Sequence, residues 1–84
     1  MINILLTKTL YYMNNKNKIK IIVNGKQMTV KLKYSLKNLA DKLKLPITKV
    51  AIEINREIIN KKNIKKIFLK NGDKIEVVHF IGGG

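Results

Sequence analysis

The dipeptide Asn24-Gly25 sits between two runs of alternating character, Lys18-Ile19-Lys20-Ile21-Ile22-Val23 and Lys26-Gln27-Met28-Thr29-Val30-Lys31-Leu32. A two-residue hairpin loop of type I′ needs positive φ at both central positions, and Asn-Gly meets that requirement at little steric cost. The turn therefore sets a register: Val23 opposes Lys26, Ile21 opposes Met28 and Ile19 opposes Val30. A slip of one residue would turn every apolar side chain to the wrong face. In the dictated register the apolar sets of both strands fall on one side, with Lys20 and Thr29 on the other.

A hairpin with one apolar face needs a second layer to cover it. Ser35 suits a helix N-cap, and Leu36, Leu39, Ala40 and Leu43 follow at i, i+3, i+4 and i+7, with Lys37, Asn38, Asp41 and Lys42 turned outward. Pro46 is expected to end this helix. Val50, Ile52 and Ile54 then alternate with Ala51 and Glu53, Asn55-Arg56 reads as a second turn, and Glu57-Ile58-Ile59 as a short return. Lys61 to Lys70 is less regular. Its Ile64, Ile67, Phe68 and Leu69 predict a helical or 3₁₀ turn over one end of the core, before Asn71-Gly72-Asp73 turns the chain again. The last run, Lys74 to Ile81, places Ile75, Val77, His79 and Ile81 on one face and Glu76, Val78 and Phe80 on the other. Hairpin, helix, strand, short return, strand is the order of an α+β domain of β-grasp (ubiquitin-like) type. Four to five strands form a mixed sheet on one main helix, and the last strand lies beside the first.

The 84 residues make one small domain, of a size that buries only about 60% of its unfolded surface. With no cysteine and the single histidine His79, disulfides and a conventional zinc or haem site are not expected. Residues 1–17 read as an extension outside the core, residues 18–81 as the domain, and residues 82–84 as a glycine tail. The extension has no clean period, is too short and interrupted to span a bilayer, and lacks the basic residues that precede the apolar run of a secretory signal. Met13 is an alternative start.

A net charge of +13 suggests a nucleic-acid or anionic-membrane surface. The make-up of that charge argues otherwise. Arg56 is the single arginine beside 17 scattered lysines, whereas bidentate recognition of bases and phosphates recruits arginine. Lys, Asn and Ile, the residues of A- and T-rich codons, make 41 of the 84, so the charge reads as codon bias at solvated positions. It predicts attraction to acidic partner surfaces and disfavours a nucleic-acid partner. No acid/base pair, nucleophile or phosphate-cradling loop points to an enzyme.

Gly82-Gly83-Gly84 has nothing to bury and is expected to project from the last strand, thin enough to enter another protein's slot. The chemistry that uses such an end is acyl activation, with Gly84 as the reacting residue. Its carboxylate is a poor electrophile until joined to a leaving group such as AMP, after which sulfur or nitrogen can displace it. The alternative is a frayed terminus. Three residues offer little area for specificity, so a docking surface must accompany them. Phe80 and Val78 are the candidates, joined by Ile22, and Phe80 serves either as an anchor or as a cap on the core. His79 reads as a solvated strand residue.

From Lys18 to Gly84 the chain resembles the ThiS family, the ubiquitin-like sulfur carriers of thiamine biosynthesis. The marks are Ile21-Ile22-Val23-Asn24-Gly25-Lys26, Val50-Ala51-Ile52-Glu53-Ile54-Asn55 followed by Glu57-Ile58-Ile59, Asn71-Gly72-Asp73-Lys74-Ile75-Glu76-Val77-Val78, and the terminal Gly83-Gly84. The resemblance implies that a ubiquitin-activating-type enzyme adenylates Gly84 with ATP and Mg, and that sulfur relayed from a cysteine desulfurase makes a thiocarboxylate, which serves thiazole synthase. The chain would bind no cofactor itself. It departs from the family at Arg56, where Gly is frequent, at Asn60-Lys61, where Pro-Arg is frequent, and at Ile64, where Trp is frequent. Related alternatives are the small subunit of molybdopterin synthase and a ubiquitin-like modifier; a basic RNA-binding β-grasp module comes from a different class. The composition suits a plastid (the chloroplast stroma) or the cytoplasm of an A/T-rich bacterium.

Overall fold

A computed structural model describes residues 16–80; most of the extension and the whole glycine tail lie outside the described residues. Strands β1 (Lys18–Val23) and β2 (Lys26–Lys31) form the hairpin that Asn24-Gly25 dictates, with Val23 opposite Lys26, Ile21 opposite Met28 and Ile19 opposite Val30. Asn24 and Gly25 have φ of 48° and 82°, the two positive values a type I′ turn requires. The Leu32 N–H donates to the Asn17 carbonyl at 2.8 Å, which carries the ladder one step outside both strands.

Helix α1 (Leu36–Lys42) begins at Ser35, whose hydroxyl accepts from the Asn38 N–H while the Asn38 side chain accepts from the Ser35 N–H. This reciprocal capping box gives Asn38 a role that its outward position in the helical pattern hides. The next two unpaired donors of the first turn are met from outside. Leu36 and Lys37 donate to the carbonyls of Ile67 and Ile64 at 2.8 and 3.0 Å. The irregular segment after Lys61 is thus the lid on the helix N-terminus, and a segment shaped by those contacts has no period of its own.

The helix does not run to Pro46. It stops at Lys42 because Lys44 adopts φ 53°, and the N–H groups of Lys44 and Leu45 turn back to the carbonyls of Asp41 and Ala40. Leu43 consequently leaves the apolar stripe and is exposed, while Leu45 packs against the core in its place. A second correction concerns Phe68. It bridges to Ser35 in an extended conformation, so its neighbours Ile67 and Leu69 point inward and Phe68 itself points to solvent.

Strands β3 (Val50–Ile54), β4 (Glu57–Ile58) and β5 (Lys74–His79) complete a five-stranded mixed sheet of order β2-β1-β5-β3-β4. The last strand lies parallel to β1 and antiparallel to β3. One sheet face packs on α1. Ile21, Leu36, Leu39, Val50, Ile52 and Ile75 are all 0% exposed at the centre of this core, which is the arrangement of a β-grasp.

The link between β3 and β4 places Asn55 at φ 51° and Arg56 at φ 71°. A side chain held in the left-handed region costs about 1–2 kcal/mol, part of which glycine gives back through its freer unfolded chain. Arg56→Gly is therefore expected to stabilise the domain by about 0.5–1 kcal/mol. The readout is a higher urea midpoint at unchanged slope. A lower midpoint would mean that the Arg56 side chain holds a contact worth more than its strain.

Candidate partner-docking site

The site is built at the end of β5, the strand that leads to the glycine tail. Hydrogen-bonded neighbours on both sides hold it, although its pairing with β1 covers only Ile22 with Lys74 and Val23 with Ile75. Asparagine side chains add to the hydrogen bonds on both sides of β5 and at its start. Asn24 Oδ1 accepts the Val77 N–H at 2.8 Å, Asn71 Oδ1 accepts the Lys20 N–H at 2.9 Å, and Asn55 Oδ1 accepts the Lys74 N–H at 3.0 Å. Asp73 joins them, accepting from the Asn55 side chain and from the Lys70 N–H. Gly72, at φ 90°, makes the turn that lets its own N–H reach the Lys20 carbonyl.

On β5, Ile75 and Val77 face the core, and Glu76 and Val78 face away from it. Val78 lies beside Ala51 and His79 beside Val50, where His79 is exposed. Beyond the strand, Phe80 still donates its N–H to the Lys49 carbonyl at 2.9 Å, so the sheet holds the chain as far as residue 80. Val78 is 52% and Phe80 51% exposed, and neither belongs to the core cluster. The Lys61 ammonium lies 5.3 Å from the centre of the Phe80 ring.

Ile22 is half-buried and its partner on β5 is Lys74, four residues before Val78 and so about 13 Å away along the strand. Between those rows, Glu76 stands directly opposite Glu53. Two of the five acidic residues thus meet on a chain of charge +13, and the one ion pair among the described residues, Lys37 with Asp41, involves neither. The structure therefore leaves Val78 and Phe80 both half-exposed at the end of β5, two residues apart, and Ile22 beyond an acidic row. Sequence reasoning passed over Ile58. It is opposite Glu53 on β4 and 77% exposed, but a two-residue strand is too short to display a period.

The described residues hold no group of three or more His, Cys, Asp or Glu side chains fit for a metal ion, and no helix among them is long and apolar enough to cross a membrane. What the site offers is a strand end hydrogen-bonded as far as Phe80, exposed apolar side chains that include an aromatic ring, and a glycine run that starts two residues later in the sequence. Gly82, Gly83 and Gly84 lie outside the described residues.

The ThiS family model matches residues 21–84, from the middle of β1 through the helix and last strand to the glycines. The fold is similar to the crystal structure of the thiamine biosynthesis protein ThiS from Geobacter metallireducens, with a TM-score of 0.70 and 30% identity over 79% of this chain and 100% of that one. The sulfur carrier protein ThiS of Bacillus subtilis is 49% identical over 35 residues, 42% of this chain and 53% of that protein. The uncharacterised protein ycf40 of Trieres chinensis is 36% identical over 62 residues, 74% of this chain and 85% of that protein. A thiazole synthase of Paramagnetospirillum magneticum is 35% identical over 66 residues, 79% of this chain. The chain spans about a fifth of the length of that synthase, 20%. Fold, motif order and the reach of the match to the final glycine agree: the chain belongs to the ThiS family.

Proposed function

We propose that this chain is a sulfur carrier for thiazole formation in thiamine biosynthesis and that the carboxylate of Gly84 is the group that carries the sulfur. The observation that supports this best is the family match, which extends through the strand end to Gly84 itself. In the proposed cycle an oxygen of the carboxylate attacks the α-phosphorus of ATP on a ubiquitin-activating-type enzyme, and pyrophosphate leaves. A persulfide sulfur relayed from a cysteine desulfurase then attacks the acyl carbon, AMP leaves with the oxygen, and a thiol cleaves the resulting acyl disulfide by taking up the carrier sulfur's former partner as a disulfide. The product is a thiocarboxylate that donates sulfur to thiazole synthase. The chain acts as co-substrate, and ATP, Mg and the catalytic groups belong to its partners. Similarity to part of a thiazole synthase supports that acceptor. For the compartment we propose the plastid stroma or a bacterial cytoplasm, which the A/T-biased composition and the ycf40 and Bacillus relatives support.

Docking falls to Val78 and Phe80. A half-exposed aromatic ring beside a thin tail offers the apolar area the tail lacks. Phe80→Ala is expected to lower kcat/KM for activation by about tenfold, which corresponds to about 1.4 kcal/mol of lost contact. Pyrophosphate release under ATP and the adenylating enzyme measures it. The thermal midpoint should change little, since the ring is outside the core cluster; a collapse of the midpoint would make Phe80 a core cap instead.

A further inference from the structure

Phe80 is tied to one short stretch of chain in two ways, through its backbone and through its ring. Its N–H donates to the Lys49 carbonyl at 2.9 Å. Its ring lies 5.3 Å from the Lys61 ammonium, which itself donates to the carbonyls of Ile47 and Val50 at 2.7 and 2.6 Å. Every tie therefore ends on residues 47–50, the 3₁₀ turn Ile47–Lys49 and the first residue of β3. Val50 is also the partner of His79, the last residue of β5.

An ammonium has three donors and no acceptor, and two of these donors go to main-chain oxygens. Among the described residues Lys61 is the one lysine whose ammonium is bonded in this way. Its side chain is half-buried, so the charge sits where bonds and ring contact count for more than on an open surface. Apart from Lys37, which pairs with Asp41, the other described lysines are exposed, as expected from composition; Lys61 is not.

We infer that Lys61 is a positioning residue for the tail: it clamps the Phe80 ring to the Ile47–Val50 segment and so fixes the position and direction of the chain at residue 80, four residues before Gly84. This role rests on the carrier reading for its effect on activity. A terminal carboxylate must arrive in line with a nucleotide inside a partner's slot, and an exit of fixed direction reduces the freedom lost on arrival. The clamp acts on the chain just before the reacting end, without touching the reacting atoms.

The test compares Lys61→Met, which keeps the apolar stem and removes the charge, with Lys61→Arg, whose guanidinium can still donate to two carbonyls and lie over a ring. The first readout needs no partner: amide hydrogen exchange at Phe80, with Ile52 and Ile75 as core references. Lys61→Met is expected to speed Phe80 exchange about tenfold and leave the references unchanged, and Lys61→Arg to restore the wild-type rate. The second readout is activation, where kcat should fall about tenfold in Lys61→Met with KM for the carrier nearly constant, and recover in Lys61→Arg. An unchanged Phe80 amide, or equal acceleration at Ile52 and Ile75, would overturn the positioning role. A wild-type chain that exchanges as expected but is never activated would instead overturn the carrier reading and leave the clamp standing.

Discussion

Removing Gly84 should abolish activation while the domain stays folded. The shortened chain still ends in a glycine carboxylate, that of Gly83, but its reacting carbon lies one residue short, up to about 3.5 Å from where it is needed. Displacement of a reacting group by about 1 Å already costs about 10²-fold, so pyrophosphate release should fall by at least that factor. The thermal midpoint should not move, because the core is built from residues 19–75 and residue 84 is four positions past Phe80. Gly84→Ala keeps the reach and adds a methyl group, so an intermediate rate is expected. Activation of the shortened chain at the wild-type rate would remove Gly84 from the chemistry.

The largest effect on stability is expected at the centre of the sheet. Ile52 is 0% exposed on β3, opposite Val77 of β5, and packs within the cluster that includes Ile21, Leu36, Leu39 and Ile75. Ile52→Ala removes three carbons and leaves a cavity, at a cost of about 2–5 kcal/mol. A domain of this size has roughly 4–12 kcal/mol to lose, so the variant should be close to unfolding at room temperature. Val78→Ala, on the same sheet but the outer face, should cost less than about 1 kcal/mol. Urea midpoints of the two variants measure the contrast. Equal, small shifts would contradict the assignment of inner and outer faces. Loss of Gly84 should end activation with the fold intact, whereas Ile52→Ala should lower it only in proportion to the fraction of chains unfolded.

Much of this architecture is legible in the chain because its local signals agree with one another. Asn24-Gly25 names a turn type, the turn names a register, and the register puts Ile19, Ile21, Val23 and Val30 on the side that is buried. Ser35 and the leucines after it name the helix that covers them. The readings that failed are those where the backbone departs from its usual residue preferences. Lys44 ends the helix in a conformation more often taken by glycine, so Pro46 looked like the stop and Leu43 like a core residue. Phe68 looked apolar and therefore inward, but the bridge to Ser35 sets its face.

The candidate site was legible in its residues and less so in its arrangement. The exposure of Val78 and Phe80 follows from the period of the last strand, and the glycines lie outside the described residues. That Ile22 stands apart follows from the offset between two parallel strands, which no single strand pattern contains. The asparagines were the least legible of all. Asn24, Asn55 and Asn71 read as turn residues, yet their side chains also each accept a backbone N–H that positions β5 or the strand beside it. Lys61 is the same case for lysine: among the described residues it is the one ammonium bonded to main-chain oxygens, in a chain of 17 lysines.

Intact-mass spectrometry tests the central claim most directly. The chain is incubated with ATP, an adenylating enzyme that activates its own carrier, a cysteine desulfurase supplied with cysteine, and a thiol reductant, beside the variant lacking Gly84. The carrier reading predicts a mass increase equal to replacement of one oxygen by sulfur, located by fragmentation at Gly84 and absent from the shortened chain. An unchanged mass with a demonstrably active enzyme, or the same increase in the chain without Gly84, would contradict it.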